Sequence, residues 1–154
     1  MPTTSPASSG ALPAILWGGL VAGTIDIGAA SLISGLDPVL IMKIIAGGLL
    51  GKSAFHGDAS VAFLGLLLQW AMSMLIAAIF VLAARRMPGL IRHWFGSGIA
   101  YGVVIYFVMN DAVLPLSAIG NGLPHFEPVK FCENMLAMLV FGLIVAFCAK
   151  RSMR

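Results

Sequence analysis

The sequence predicts an all-α, polytopic membrane protein with four transmembrane helices plus a short interfacial or re-entrant helix. Of the 154 residues, 60% are hydrophobic and only 10% are charged, and the mean hydropathy is +1.01. A soluble domain carries about 25% charged residues. Four apolar segments are each long enough to cross a bilayer core, which takes roughly 20 residues. The chain therefore belongs in the membrane and makes one small domain.

Four segments have the length and flanking signals of transmembrane helices. They cover about Leu12–Ser34, Ser60–Ala83, Trp94–Leu114 and Val129–Ala149. Asp58 can cap the second span, Arg85 and Arg86 end it, and Pro115 ends the third. The first segment is too long for the apolar core of a signal peptide, so we interpret it as a retained span. We therefore divide the chain into a polar N-terminal tail, residues 1–11, and one transmembrane helical domain, residues 12–150.

The segment Pro38–Phe55 is harder to assign. Asp37 as N-cap and Pro38 at the first helical position predict that a helix begins here. The apolar stretch between Lys43 and Lys52 is too short to span comfortably, and the two lysines lie on opposite faces of the helix. We predict a helix that lies at the outer interface or dips partway into the membrane. The alternative is a fifth span, which would put the two termini on opposite sides.

The distribution of cations predicts the orientation. Arg85, Arg86, Arg92, Lys150, Arg151 and Arg154 lie on one side of the predicted spans, and Lys43, Lys52 and Lys130 lie on the other. Loops rich in Lys and Arg stay in the cytoplasm. Six cations against three therefore predict a multi-pass protein with both termini cytoplasmic.

Three glycine pairs at GxxxG spacing are typical of closely packed membrane helices. The pairs are Gly19 and Gly23, Gly47 and Gly51, and Gly98 and Gly102. Such pairs bring two helix backbones together. They can pack helices within one chain or join two chains, and the sequence leaves both arrangements open.

Asp26 is the most unusual residue of the first span, because it has no charged neighbour for ten residues on either side. A carboxylate inside a bilayer costs at least ~2.5 kcal/mol unless it faces protein, water or a partner. Gly19, Gly23 and Ala30 share its helix face, so Asp26 lies in a seam of small residues. We therefore expect Asp26 to point into a helix bundle, either as a structural hydrogen-bonding group or in an ion or proton role.

Intramembrane polarity is concentrated in the outer halves of the spans. The candidate residues for an ion site or polar pocket are Asp26, Gln69, Asn110, Asp111, Glu133 and Asn134. One interpretation is an outward-facing pocket. The other is structural: Glu133 pairs with Lys130 one turn away, and the amide side chains bond neighbouring helices.

The sequence predicts no catalytic site, metal site or cofactor. His56, His93 and His125 lie in loops or at span ends, without a second ligand at metal-site spacing. No GxSxG, HExxH or paired-carboxylate motif is present. The net charge of +3 comes from basic residues beside the spans and does not indicate a nucleic-acid partner. The expected partners are membrane lipid and other membrane subunits.

Three segments carry a resemblance to a known family. GTIDI in the first span, IIAGGLLGKSAFHGDASVAFLGLLLQW and VVIYFVMNDAVLPLSAI together resemble a group of small four-span bacterial inner-membrane proteins of uncharacterised function, distantly related to the YagU-like proteins. The resemblance covers nearly the whole chain. It implies a bacterial inner-membrane location and the four-span layout, but it implies no activity.

The resemblance also implies a departure from the family pattern. By this resemblance, members often have His where this chain has Gln69 and Asn134, Gly at Asp58, and an aromatic residue at Asp111. Amides form hydrogen bonds but do not replace imidazole as ligands of haem iron. This departure argues against a metal-dependent role.

Two function hypotheses follow. The first is a non-enzymatic integral membrane protein that acts by helix association, as a homo-oligomer or an accessory subunit of a membrane complex. The alternative is a small oligomeric channel or transporter that uses Asp26 and the outer polar cluster for a cation or protons. A third interpretation is an enzyme acting on lipid or quinone at the outer interface, for which the sequence names no substrate.

Overall fold

The computed structural model describes residues 10–118 and 128–153, and every regular element within these ranges is a helix. Five helical segments are long and apolar enough to cross a membrane. The prediction of an all-α protein with several membrane-spanning candidates is therefore confirmed. Most of the predicted polar tail, together with His125, lies outside the described residues.

The helices follow one another with short connections. They are α1 (Ala11–Ser34), α2 (Pro38–Leu50), α3 (Ala59–Arg86), α4 (Gly89–Arg92), α5 (Trp94–Phe107), α6 (Leu114–Leu116) and α7 (Pro128–Ser152). A 3-10 segment, Gly51–His56, follows α2, and a π-helical segment, Val108–Val113, joins α5 to α6. The helical run from α5 to α6 corresponds to the predicted third span.

Local chemistry explains where the helices begin and where the third span changes pitch. The Asp37 carboxylate accepts the backbone N–H of Val39 at 2.8 Å, and the Asp58 carboxylate accepts that of Ser60 at 3.0 Å, so each caps a helix start. Pro115 has no N–H to donate to the carbonyl four residues earlier, and its ring crowds that turn. The wider π turn ahead of Pro115 accommodates this defect within a continuous helical run.

Helices α1 and α3 run antiparallel, with contacts from Gly18 to Asp26 of α1. Gly19 lies against Met74 and Gly23 lies against Ser73, so later residues of α1 meet earlier residues of α3. Helix α7 also packs against α1, and α5 packs on α7. The hydroxyl of Tyr101 on α5 donates to the carbonyl oxygen of Ile76 on α3 at 2.6 Å.

Helix α2 packs against the first half of α3, where Gly65 meets the backbone of Met42. Its 13 residues are about 20 Å long. At Gly51 the backbone has φ +72° and ψ −159°, so the α-helix stops and a 3-10 turn takes over. The N–H of Ala118, just beyond α6, donates to the carbonyl of Gly48 at 2.9 Å. The C-terminal end of α2 therefore lies close to the end of α6.

The buried core occupies one half of the bundle, which we call the basic end because it carries Arg85, Arg86, Lys150 and Arg151. The start of α1 lies against Ser152 at the end of α7, so both helices meet there. The core residues with almost no exposed surface there are Ala14, Ala77, Val81, Ala84, Val145, Ala146 and Ala149. The ammonium of Lys150 sits 4.8 Å from the ring centre of Trp94. Toward the opposite end, far fewer residues are buried.

Candidate functional site

Asp26 lies in the more open half of the bundle, at the contact between α1 and α3. Close approach of the two backbones at Gly19 and Gly23 sets the distance between the helices. A Cβ at Gly19 would lie 2.6 Å from Met74 Cα, and one at Gly23 would lie 2.6 Å from Ser73 Oγ. Because only glycine fits at this spacing, a side chain one turn further along α1 can reach α3 directly.

The Asp26 carboxylate accepts a hydrogen bond from the side chain of Gln69. Nε2 of Gln69 lies 2.9 Å from Oδ2 of Asp26, and both side chains are partly buried. In an apolar medium, a carboxylate without a hydrogen-bond partner costs far more free energy than one that accepts such a bond. The bond fixes the orientation of the carboxylate and ties α1 to α3.

A second bond runs beside this one. The indole N–H of Trp70 donates to the hydroxyl of Thr24 at 3.2 Å, and that hydroxyl donates to the carbonyl of Leu20 at 2.8 Å. Neighbouring α3 residues, Gln69 and Trp70, thus each hold a polar group of α1. Together the two bonds fix the rotation of α1 relative to α3.

Asp26 also lines a cavity of about 370 Å³, which we call the α1–α7 crevice. Its walls are formed by residues 22–33 of α1 and 133–141 of α7. A Cβ at Gly18 would lie 3.4 Å from Cys148 Cβ and 3.8 Å from Val145 Cα, so α1 and α7 are in contact near the basic end. The crevice lies beyond this contact, further from the basic end, between residues of α1 and α7.

The walls of the crevice are almost wholly apolar. Of its eleven lining residues, nine have hydrocarbon side chains, among them Ala29, Leu136 and Phe141. The remaining two are the acids Asp26 and Glu133. Glu133 is exposed at the first turns of α7, whereas Asp26 is partly buried against α3. The structure thus brings together three predicted site residues, Asp26, Gln69 and Glu133, on three different helices.

The other predicted site residues lie elsewhere. Asn110 and Asp111 belong to the π-helical segment, where the Asn110 amide donates to the carbonyl of Tyr106 on its own helix at 2.9 Å. Asp111 and Asn134 are exposed. None of the three lines the α1–α7 crevice.

Two of the three glycine pairs contact other helices of the same chain. Gly19 and Gly23 face α3, while a Cβ at Gly98 or Gly102 would meet the α7 backbone at Leu143 or Met138. Gly142 of α7 faces Gly98 and Gly102 in return. In the third pair, Gly47 is buried on α2. Gly51 takes a left-handed conformation that favours glycine and ends α2.

Sequence reasoning missed two polar contacts that shape the bundle. The pairing of Thr24 with Trp70 joins residues 46 apart in the chain, and Tyr101 bonds the backbone of Ile76. Buried Tyr and Trp usually find a hydrogen-bond partner, so a search for polar groups at matching depth could have suggested both.

Among the described residues, no group of three or more His, Cys, Asp or Glu side chains is arranged to hold a metal ion. Chemically, the crevice offers a carboxylate oriented by an amide, a second carboxylate at its edge, and an apolar interior. Comparison with protein-family models, with curated proteins and with solved structures gives no match for this chain.

Proposed function

We propose that this chain is a non-enzymatic, four-span protein of the bacterial inner membrane that works within an assembly, as a homo-oligomer or as an accessory subunit of a larger complex. A relationship to the YagU-like inner-membrane proteins is part of this proposal and rests on the three segments quoted above. Membrane lipid surrounds the assembly.

The four-span layout is supported by the direction of the helices. Antiparallel neighbours α1 and α3 begin at opposite ends of the bundle. The connection between them, which contains α2, must then start and finish on the same side. We therefore place α2 at the outer interface or partway into the membrane, and the bond from Ala118 to Gly48 supports this placement. The cations of the basic end support cytoplasmic termini.

The observation that carries the association proposal is the α1–α7 crevice. In a single copy surrounded by lipid, the crevice would present the carboxylates of Asp26 and Glu133 beside acyl chains. Charged groups in a membrane face protein or water, because acyl chains cannot solvate them. A partner helix set over the crevice would separate these groups from lipid.

The glycine pairs also support a contact between subunits that lies outside the glycine-lined helix contacts. Because Gly19, Gly23, Gly98 and Gly102 contact helices of their own chain, they hold the bundle together. A contact between subunits then uses the remaining outward surface. The rim of the crevice, with Leu136 and Val140 exposed, is the part of that surface nearest the carboxylates.

Measurement of mass in mild detergent tests the association proposal. The full chain should purify as a dimer, as a higher oligomer or together with another membrane subunit. A monodisperse monomer that brings no partner with it would contradict the proposal.

A second candidate function, transport of a cation or of protons by the assembly, is favoured by Asp26, which lines the crevice and whose carboxylate is oriented by Gln69 of α3. Four helices line a pathway poorly alone, so this function also needs an oligomer. Flux into proteoliposomes should be present with wild type and reduced in Asp26→Asn. Absent flux, or equal flux in the variant, would remove Asp26 from any transport role.

A further inference from the structure

We infer that the α1–α7 crevice binds an amphiphilic organic cation, an ammonium group carried on an apolar body, that enters from the side opposite the basic end. This inference deepens the transport candidate by naming a substrate class for its site, and it rests on that candidate. It starts from three features of the crevice: its charge, its apolar walls and the fixed orientation of Asp26.

The charge of the lining favours a cation. Among the described residues, both ionisable side chains that line the crevice are carboxylates, and none of the lining residues is Lys, Arg or His. An anion would meet two like charges there, with no donor among the lining side chains to offset them. An ammonium group would instead donate hydrogen bonds to a carboxylate, and charge-assisted bonds of this kind are the stronger ones.

The walls favour an organic cation over a metal ion. Ca²⁺ takes six to eight oxygen ligands, and Mg²⁺ demands an octahedral shell. The crevice offers two carboxylates, one of them already bonded to Gln69, among nine hydrocarbon side chains. A metal ion entering the crevice would lose its hydration water and would not gain enough oxygen ligands to replace it. An apolar ligand body would cover Ile25, Leu136 and Val140 and remove their surface from water.

The bond from Gln69 prepares Asp26 for this ligand. Gln69 donates to Oδ2, and within the described part of the chain Oδ1 has no second donor. The carboxylate is therefore held in one orientation with one oxygen available to an ammonium group. Binding to a group that is already oriented loses less entropy than binding to a mobile one.

The cavity has a size suited to a small ligand. Its volume of about 370 Å³ lies near the lower end of ligand pockets, which run from roughly 300 to 1,000 Å³. A molecule with a single ring and a small ammonium group is of this class.

Binding of radiolabelled benzylammonium, a single-ring primary ammonium with N–H donors, to the full chain in phosphatidylcholine nanodiscs tests the inference. We expect saturable binding above that of empty nanodiscs, undiminished by an equal concentration of sodium chloride. Asp26→Asn should weaken it about tenfold or more, because the charge partner is lost. Ala29→Leu keeps both carboxylates but fills the wall, and it should weaken binding as strongly. Ala100→Leu is the matched control, since Ala100 is exposed on α5 and should leave the affinity unchanged.

Every outcome of these measurements either supports or overturns a stated claim. No saturable binding by wild type, or equal binding by folded Ala29→Leu, would overturn the inference, as would full displacement by sodium. Thermal unfolding of each variant establishes that it is folded. If Asp26→Asn does not fold, Ala29→Leu still tests the inference. Binding without flux in proteoliposomes would contradict the transport candidate but leave the ligand class standing. Flux of protons without binding would contradict the inference alone.

Discussion

The side chain of Gln69 on α3 donates a hydrogen bond to the carboxylate of Asp26 on α1, with 2.9 Å between Nε2 and Oδ2. The two residues are 43 positions apart, and the bond crosses the contact made by Gly19 and Gly23. The lone acid of the first span therefore has a partner within its own chain. The remaining side of this acid faces the crevice between α1 and α7.

Gly23→Leu should disrupt the contact between α1 and α3. A Cβ at this position would lie 2.6 Å from Ser73 Oγ, so the larger side chain must push the helices apart. Overpacking of this kind costs about 1–3 kcal/mol in the free energy of unfolding. Thermal unfolding in detergent measures the loss. Gly28→Leu is the matched control on the same helix, because a Cβ there meets nothing within 4 Å. Equal stability of the two variants would contradict the close contact.

Asp26→Asn should be close to wild type in thermal stability and above Gly23→Leu. An asparagine carbonyl still accepts the hydrogen bond from Gln69, and the variant buries no charge. The measurement is again thermal unfolding in detergent. Should Asp26→Asn prove the most damaging variant, Asp26 must be charged and paired with a cation, which would raise the case for an ion-linked function.

The cap of α3 should make stability depend on pH. The hydroxyl and the backbone N–H of Ser60 donate to the Asp58 carboxylate, and these bonds lower the pKa of Asp58. The charged form is therefore favoured in the folded state. Its contribution is present above the unfolded pKa of about 3.9 and is lost as pH falls through the folded value.

Comparison of wild type with Asp58→Ala between about pH 3 and pH 7 tests this dependence. The difference in melting temperature should be largest at neutral pH and should shrink in acid, where Asp58 in the wild type becomes protonated. Ser60→Ala removes one of the two donors and should show a smaller difference of the same form. A difference that does not change with pH would contradict the assignment.

Single cysteines on either side of α2 test the four-span layout. In a background without Cys132 and Cys148, Leu36→Cys and His56→Cys should both react with a membrane-impermeant maleimide added from outside. Met87→Cys, at the basic end, should react only after the membrane is opened. Leu36 and His56 are exposed and flank α2. Labelling of only one of them from outside would show that α2 crosses the membrane.

Reporter fusions check the same orientation independently. Fusions after Met87 and after Arg154 should read cytoplasmic, and a fusion near Asn121 should read periplasmic. Arg154 and Asn121 lie outside the described residues, so these positions follow from the cations and the order of the spans. A periplasmic result at Met87 would contradict the orientation.

Hydropathy and end signals predicted most of the fold. Helix α1 extends from Ala11 to Ser34, close to the predicted Leu12–Ser34, because length and apolarity alone define such a helix. The caps at Asp37 and Asp58 were also predictable from the sequence, since a cap depends on residues within one turn. The π-helical turn before Pro115 was not predicted, because a proline more often ends a helix than widens it.

The site was predictable in part. The seam of Gly19, Gly23 and Asp26 follows from helix geometry, and it indicated that Asp26 points into protein. Its partner, Gln69, was one of several polar residues at similar depth, and sequence periodicity does not show which helices are neighbours. The crevice depends on how α1 and α7 pack beyond Gly18, which is a property of tertiary structure.

Cross-linking at the rim of the α1–α7 crevice tests the central claim most directly, because that claim is that a partner subunit covers the crevice. In the cysteine-free background, Leu136→Cys labelled with a maleimide that carries a photoreactive group should, on illumination of native membranes, form a covalent adduct either with a second copy or with another subunit. Leu75→Cys is the matched control: Leu75 is exposed on α3 but does not line the crevice. We expect an adduct at position 136 and none at 75. A folded Leu136→Cys protein that forms no adduct in the membrane would contradict the claim.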